Sequence, residues 1–513
     1  MLKAITLVQV VILNLLFLLQ GNAQNQAAST EIRTLLFFFD GLRPDYITAD
    51  DMPNLYAFKQ QATYGTRHHS VFPTVTRLNA SSYATGSYPK THGIMGNVIF
   101  IPQVSTSKTL NTGNAKDLMK VADATNGNLL TTVSLAEVLA SHGKNMMVFS
   151  SGSTGQALLQ NHKVKGNGII NTDMILPESL KEKVHKELGP APSNKQPDEE
   201  RHQWAVDALL KYGLAPDGPQ VSAIWLSDPD HAGHANGVGV PPVKAALKSV
   251  DRQFGIVISE MKNRGLLERY NIIISVDHGF VTYVGKKSLT EFLIEEGFKK
   301  SKESDDIVVA DGALYLKDKN PDTIRKIVQA LQQQPWVGAI FTKAAKPGDM
   351  KGWVEGTLSF DAIHWNHPER AADILVDRNW DDRVNSAGYA GAGFAKGAGG
   401  HGGLSPYEVK IPLIVSGPSF KKIKEYNLPT SNVDITPTVL ALYNIPVPAS
   451  MDGRVLADLM VGKAPSKNKI KEETISTKAS YAGGTYELQL KQTKFGKYRY
   501  IDYAKVIRTS SSK

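Results

Sequence analysis

Five short runs of mostly apolar residues recur along the chain, at Thr34–Phe39, Asn145–Phe149, Val221–Leu226, Asn271–Val276 and Ile411–Val415. Near-continuous apolar runs of this length suit strands buried on both faces, as in a parallel sheet. Between them apolar residues return at helical spacing over Arg201–Tyr212 and Pro242–Arg264. The second stretch carries Val243, Leu247, Val250, Phe254, Val257 and Met261 on one side. Strands alternating with helices predict an α/β core, with a mostly parallel sheet covered by helices on both faces. Ser431–Asn444 reads as a further helix with Asp434 near its start.

The stretch from about 286 to 369 interrupts this rhythm with a βαβ-like pattern of its own, Gly312–Leu316, Asp322–Gln332 and Val337–Thr342. It is expected to be a cap-like α/β insertion in a catalytic domain spanning 24–464. From 465 to 513 the chain turns polar and basic, and Tyr486–Lys491 and Tyr498–Val506 around Phe495-Gly496 predict a β-hairpin. Residues 1–23 form a signal peptide pattern: Lys3, an apolar run to about Leu19, and small residues at Gly21 and Ala23.

Composition narrows the setting. The 513 residues include no cysteine, which excludes thiolate-bound metal and a cysteine nucleophile. An exported chain without disulfides suits a bacterial periplasm, with no membrane anchor once the signal is cleaved. The net charge of +9 favours anionic substrates. No arginine-rich or aromatic-interleaved stripe predicts a stable nucleic-acid complex.

Chemistry gathers where the runs end. TLLFFFD closes on Asp40, VSAIWLSDPDHAGH carries Asp230 and His234, NIIISVDH carries Asp277 and His278, and His401 lies in GGHGG. In an open α/β sheet, ligands bind outside the carboxyl ends of the strands. Asp230 and His234 are four apart, so one helical turn can aim both at one ion. Asp277 and His278 are adjacent, and a chain leaving the sheet can turn both inward. The glycines around His401 let the backbone bring an imidazole close to a crowded centre. Each feature alone has a plain reading as a cap, a turn or a loop residue; their number on one edge points to metal. Asp228 and His231 compete with Asp230 and His234, while His68, His69 and His92 read as structural or rim residues. FPTVTRLN offers Thr74 and Thr76 as hydroxyls, and residue chemistry does not choose between them. Asn79-Ala80-Ser81 also reads as a glycosylation sequon.

DGLRPDYI, FPTVTRLN with TGSYPKTHGIMGN, DPDHAGH, VDHG and GGHGGLSPYEVKIPLIVSGP together resemble the nucleotide pyrophosphatase/phosphodiesterase family of the alkaline phosphatase superfamily, in family order. DITPTVLALYNIPVPASMDGR is similar to the segment that closes such domains. The resemblance implies an alkaline-phosphatase-like fold and two zinc ions bridged by a substrate phosphate. Asp230, His234 and His401 would hold one ion; Asp40, Thr76, Asp277 and His278 the other. It makes Thr76 the nucleophile of a phospho-threonine mechanism, with Thr74 as fallback, and Asn97 a donor to the phosphate. A small phosphorylated substrate is implied, a nucleotide among the candidates.

The leading expectation is therefore a phosphodiesterase or nucleotide pyrophosphatase. A monoesterase or a phosphonoacetate-type phosphonate hydrolase is the alternative, and a non-catalytic binding protein of the same fold comes third. The chain departs from the family after Thr76. There it has Arg77-Leu78-Asn79-Ala80 where an aromatic and Pro-Asn-His are usual, which puts a nucleotide substrate in question. Tyr83, Phe100 and Trp365 are candidate pocket walls, with core packing the competing role.

Overall fold

The computed structural model describes residues 31–193 and 197–510; the signal pattern at 1–23 lies outside them. The elements that build the site are, in chain order, β1 (Arg33–Asp40), β2 (Thr63–His69), α1 (Thr76–Thr85), β3 (Met146–Ser150), β4 (Gly168–Asn171), β5 (Val221–Pro229), α2 (Asp230–Asn236), α3 (Pro241–Asn263), β6 (Tyr270–Val276), β7 (Lys410–Ser416) and α4 (Ile435–Leu442). Across the central ten-stranded sheet these strands run β2, β7, β6, β1, β5, β3, β4. Strands β6, β1, β5, β3 and β4 are mutually parallel, and β7 is antiparallel to both of its neighbours.

The continuous apolar runs have the cause expected of them. Strand β1 is buried along all but its first residue, and its side chains divide alternately between two cores. Leu36 and Phe38 face one cluster, which α1 and α4 complete with Ala80, Tyr83, Ala84, Val439 and Leu440. Leu35, Phe37 and Phe39 face the other, filled by Val243, Leu247, Val250, Phe254, Val257 and Met261 of α3. A period of two along a strand and near four along a helix makes both faces dry.

Some elements differ from the sequence reading. The helix expected over Arg201–Tyr212 is regular at Glu199–Ala208 and then widens into a π turn at Leu209–Gly213. The one expected from Ser431 opens as a 3-10 turn at Asn432–Asp434 before α4. The inserted segment forms a five-stranded sheet backed by a helix at Pro321–Gln332, and takes its middle strand, Ile374–Arg378, from beyond residue 369. At the C-terminus the expected hairpin is the second half of a three-stranded antiparallel sheet, Ile470–Tyr481, Gly484–Phe495 and Tyr498–Ser510. Its first strand escaped notice because an exposed edge strand carries lysine and glutamate in place of an apolar face.

Candidate active site

Three neighbouring strands of the sheet, β6, β1 and β5, end at one place. Asp40 is the last residue of β1, Asp230 follows β5, and Asp277 and His278 follow β6. The ends are tied together: the Gly41 N–H donates to Asp277 Oδ1 at 3.0 Å. Gly41 has φ of +71°, and a Cβ there would stand 3.0 Å from Asp230 Cβ. Only glycine allows β1 to turn away while Asp230 packs against the turn.

Asp230 opens α2, whose first turn is capped by Asp228 Oδ1 accepting from the Ala232 N–H at 3.2 Å. One helical turn on, His234 brings Nε2 to 3.3 Å from Asp230 Oδ1. His401 Nε2 lies 3.3 Å from the same oxygen and 3.1 Å from His234 Nε2. The His401 Nδ1–H donates to the Thr74 carbonyl at 2.8 Å, which leaves its Nε2 lone pair turned into the site. His278 is set the same way, with Nδ1–H on the Gly279 carbonyl at 3.0 Å. Its Nε2 lies 3.0 Å from Asp277 Oδ2, 3.1 Å from Thr76 Oγ1 and 3.5 Å from Asp40 Oδ1. The imidazoles of His278 and His401 stack, with centroids 3.4 Å apart.

Two groups of donor atoms are close enough to share an ion: Asp230, His234 and His401, and Asp40, Asp230 and His278. The first matches one set inferred from the sequence. In the second the geometry also offers Asp230, beside the Asp277 that the sequence suggested. The donor chemistry fits a metal on a separate count. Asp40 Oδ1, Asp230 Oδ1 and Asp277 Oδ2 are all buried without a hydrogen-bond partner. Buried oxygens of ionised carboxylates are costly unless a cation or donor meets them.

The electrostatics agree. Burial, then the charges of Asp277 and Asp230, push the Asp40 carboxyl well above the usual range. Burial also works against charge on Asp230, yet His234, His401 and His278 outweigh it and hold that carboxyl below its ordinary value. Burial and the neighbouring His278 hold the His401 imidazole well below its own. Asp40, Asp277, His278 and His401 are buried while His234 stays open to solvent, and three carboxylates set this close suit a cation from outside.

Thr76 is the first residue of α1 and is buried beside His278. Asn97 lies next to it: its Oδ1 accepts the Arg77 N–H at 3.0 Å, meeting one of the free first-turn donors of the helix. Thr74 is engaged elsewhere. Its hydroxyl donates to the Gly403 carbonyl at 2.8 Å and accepts from the Gly402 N–H at 3.1 Å, fastening the His401 loop.

The competing residues are turned away. His231 pairs with Asp198 at 2.8 Å and Asp228 with His202 at 3.1 Å. His68 is bonded to Thr430 and Ser275, His69 to Asp502, and His92 to Ser82, all buried. Asn79 is 1% exposed and bonded to both backbone groups of Val71, so the sequon is closed to a glycan. Tyr83, Phe100 and Trp365 are core residues. Sequence reading missed Trp225, whose indole N–H donates to Asp40 Oδ2 at 2.9 Å. It also missed Arg378, which donates to the His401 carbonyl at 2.8 Å. The signal for Trp225 was present: a tryptophan inside a buried strand needs a partner for its N–H.

The family model described as type I phosphodiesterase/nucleotide pyrophosphatase matches residues 34–400. The chain belongs to this family. The match takes in every strand end described above and stops one residue short of His401. Ectonucleotide pyrophosphatase/phosphodiesterase family member 1 of Mus musculus is 28% identical over 250 residues, covering 48% of this chain and 24% of its own length. Venom phosphodiesterase 2 of Crotalus adamanteus is 27% identical over 263 residues, covering 50% and 28%. The chain thus spans about a quarter of the length of these curated relatives. Among solved structures, human ectonucleotide pyrophosphatase/phosphodiesterase 5 superposes with a TM-score of 0.60 at 18% identity, over 84% of this chain and all of the other. A variant of the alkaline phosphatase PafA gives 0.60 at 15%, over 84% and 99%. An inactive variant of the murine type 5 protein has been solved in complex with AMP. The fold is alkaline-phosphatase-like.

Proposed function

We propose that the protein is a two-zinc hydrolase of phosphate esters that works through a phospho-threonine intermediate on Thr76. Phosphodiesters and nucleotide pyrophosphates are its first candidate substrates. The observation that carries this reading is the convergence of three partnerless carboxylate oxygens with the Nε2 atoms of three imidazoles, next to the Thr76 hydroxyl. Asp230, His234 and His401 would hold one ion, and Asp40, Asp277, His278 and Thr76 the other. Bound there, the ions would lower the pKa of a coordinated hydroxyl and offset charge on the attacking and leaving oxygens.

The chain's own groups account for the rest. Thr76 Oγ attacks phosphorus, the bond to the ester oxygen breaks, and water later cleaves the phospho-threonine to restore the hydroxyl. Asn97, its carbonyl oxygen fixed by the Arg77 N–H, has its NH2 group left to donate to a non-bridging oxygen. Helix α1 places Thr76 at its N-terminal turn, where free N–H groups favour an anion. Its apolar leader and lack of cysteine support export, in a bacterium to the periplasm.

The test uses protein loaded with zinc and a p-nitrophenyl nucleotide diester. Turnover should fall by several orders of magnitude in Thr76→Ala with zinc content unchanged, and acid-quenched wild type should yield a phosphopeptide containing Thr76. A Thr76→Ala protein with undiminished turnover would remove the assignment.

A further inference from the structure

Arg77 follows the proposed nucleophile, and its guanidinium has no partner. Its Nε is enclosed without an acceptor, and no ion pair or side-chain hydrogen bond holds the group among the described residues. The side chain is half-buried, so an enclosed Nε without an acceptor costs free energy while the rest of the fork stays open to an incoming group. The carboxylates whose fields reach it most strongly are those of Asp40 and Asp230, followed by Asp311 and Asp277. Asp311 already spends Oδ2 on the Val98 N–H at 2.6 Å, and the other three are the candidate metal ligands. A Cβ on Gly113 would stand 3.6 Å from Arg77 Cζ and Nη2, so the chain at Gly113 closes off one direction.

A plain reading makes Arg77 a counterion to the acidic cluster. That role needs contact within ion-pair distance, which is missing, and cations bound by the same carboxylates would take it over. The backbone of Arg77 is meanwhile fixed: its N–H is held by Asn97 Oδ1, and residue 76 supplies the hydroxyl. A charged fork carried on the residue whose backbone joins nucleophile and oxyanion donor, and lacking a protein acceptor, suits an anion brought by the substrate.

We propose that Arg77 is a specificity residue, donating to the oxygens of an unesterified, doubly charged terminal phosphoryl group. The inference rests on the phosphoester-hydrolase reading above and deepens it. Such a group has two sources. It is the transferred phosphoryl itself in a monoester, or the distal phosphate of a nucleoside polyphosphate. A simple diester has none.

The experiment compares wild type, Arg77→Ala and Arg77→Lys, each loaded with zinc. The substrates are p-nitrophenyl phosphate, a nucleoside triphosphate and a p-nitrophenyl nucleotide diester. Loss of a charge-assisted contact should lower kcat/KM in Arg77→Ala, relative to the diester, by roughly ten- to hundredfold on one of the two terminal-phosphate substrates. The substrate affected names the source, and Arg77→Lys should recover part of the loss. Inorganic phosphate, titrated calorimetrically into the zinc-loaded proteins, should bind Arg77→Ala at least about tenfold more weakly. Unchanged ratios with unchanged phosphate affinity would overturn the proposal and leave the hydrolase reading standing. If wild type turned over none of the three substrates, the hydrolase reading would fail, and phosphate binding alone would decide for or against Arg77.

Discussion

Three buried carboxylate oxygens have nothing to accept, and two of them, on Asp277 and Asp40, are aimed by a neighbour that leaves one oxygen free. Asp277 is held by the Gly41 N–H and Asp40 by the Trp225 indole, so the remaining oxygens point together. Groups that orient ligands govern metal affinity almost as strongly as the ligands themselves. Trp225→Phe keeps the stacking on Phe38, whose ring lies 4.8 Å away, but removes the donor. Zinc affinity measured by competition with a chelator should fall about 10- to 100-fold; an unaltered affinity would show that Asp40 needs no such restraint. At this scale the candidate ligands were legible, since aspartate and histidine behind apolar runs are conspicuous. Their supports were not, because a tryptophan N–H or a threonine hydroxyl has its role fixed by residues more than a hundred positions away.

At the scale of elements, the loop bearing His401 is braced as a unit. The Glu408 carboxylate accepts the Gly403 N–H at 2.7 Å, and Asp377 Oδ2 accepts the Leu404 N–H at 3.0 Å. Burial, then the charge of Glu408, pushes the Asp377 carboxyl up to about 7 against the pull of Arg378. An unfolded aspartate titrates near 3.9. Between those values the folded protein keeps a proton that the unfolded chain releases, so stability falls as pH rises through the interval. Wild type should lose about 2–3 kcal/mol between about pH 5 and about pH 8 from this group, a loss absent in Asp377→Asn. Urea midpoints at the two pH values check it, and parallel profiles for the two proteins would refute it.

Elements with strong apolar periodicity, such as β1 and α3, read off the sequence with their ends displaced by no more than a residue or two. The strand Ile374–Arg378 did not, because it is short, ends in charged residues and gains its place only from partners at 313–314 and 337–342. The edge strand Ile470–Tyr481 escaped for a related reason, its outward face being almost wholly polar.

Over the whole molecule, the C-terminal sheet acts as a strap between core and insertion. The Tyr486 hydroxyl donates to the Gly338 carbonyl at 2.9 Å, the Ala504 N–H to the Leu404 carbonyl at 3.0 Å, and His69 pairs with Asp502 at 3.0 Å. Tyr486, Leu488 and Leu490 belong to the same apolar cluster as α1 and the inserted sheet. The strap should therefore unfold with the rest. Leu488→Ala is expected to cost about 2–5 kcal/mol, seen as a shift of one cooperative urea transition; a separate early transition confined to the sheet would contradict this. Nothing in the basic, polar composition of 465–513 announced such a role, since its few inward apolar residues, Tyr486, Leu488 and Leu490 among them, are spaced between polar ones.

The strand ends that make the site are adjacent in space but come from positions 40, 230 and 277, with a loop at 401 closing over them. Bringing them together means closing chain loops of many tens to hundreds of residues before any contact repays the entropy. A nascent chain released only as far as β5 has Asp40 alone of the three aspartates and none of the three histidines. The candidate ion-binding corner is therefore incomplete until the chain through His401 is in place. On the proposed reading zinc would be captured by a sheet already assembled, and its uptake would report completed topology.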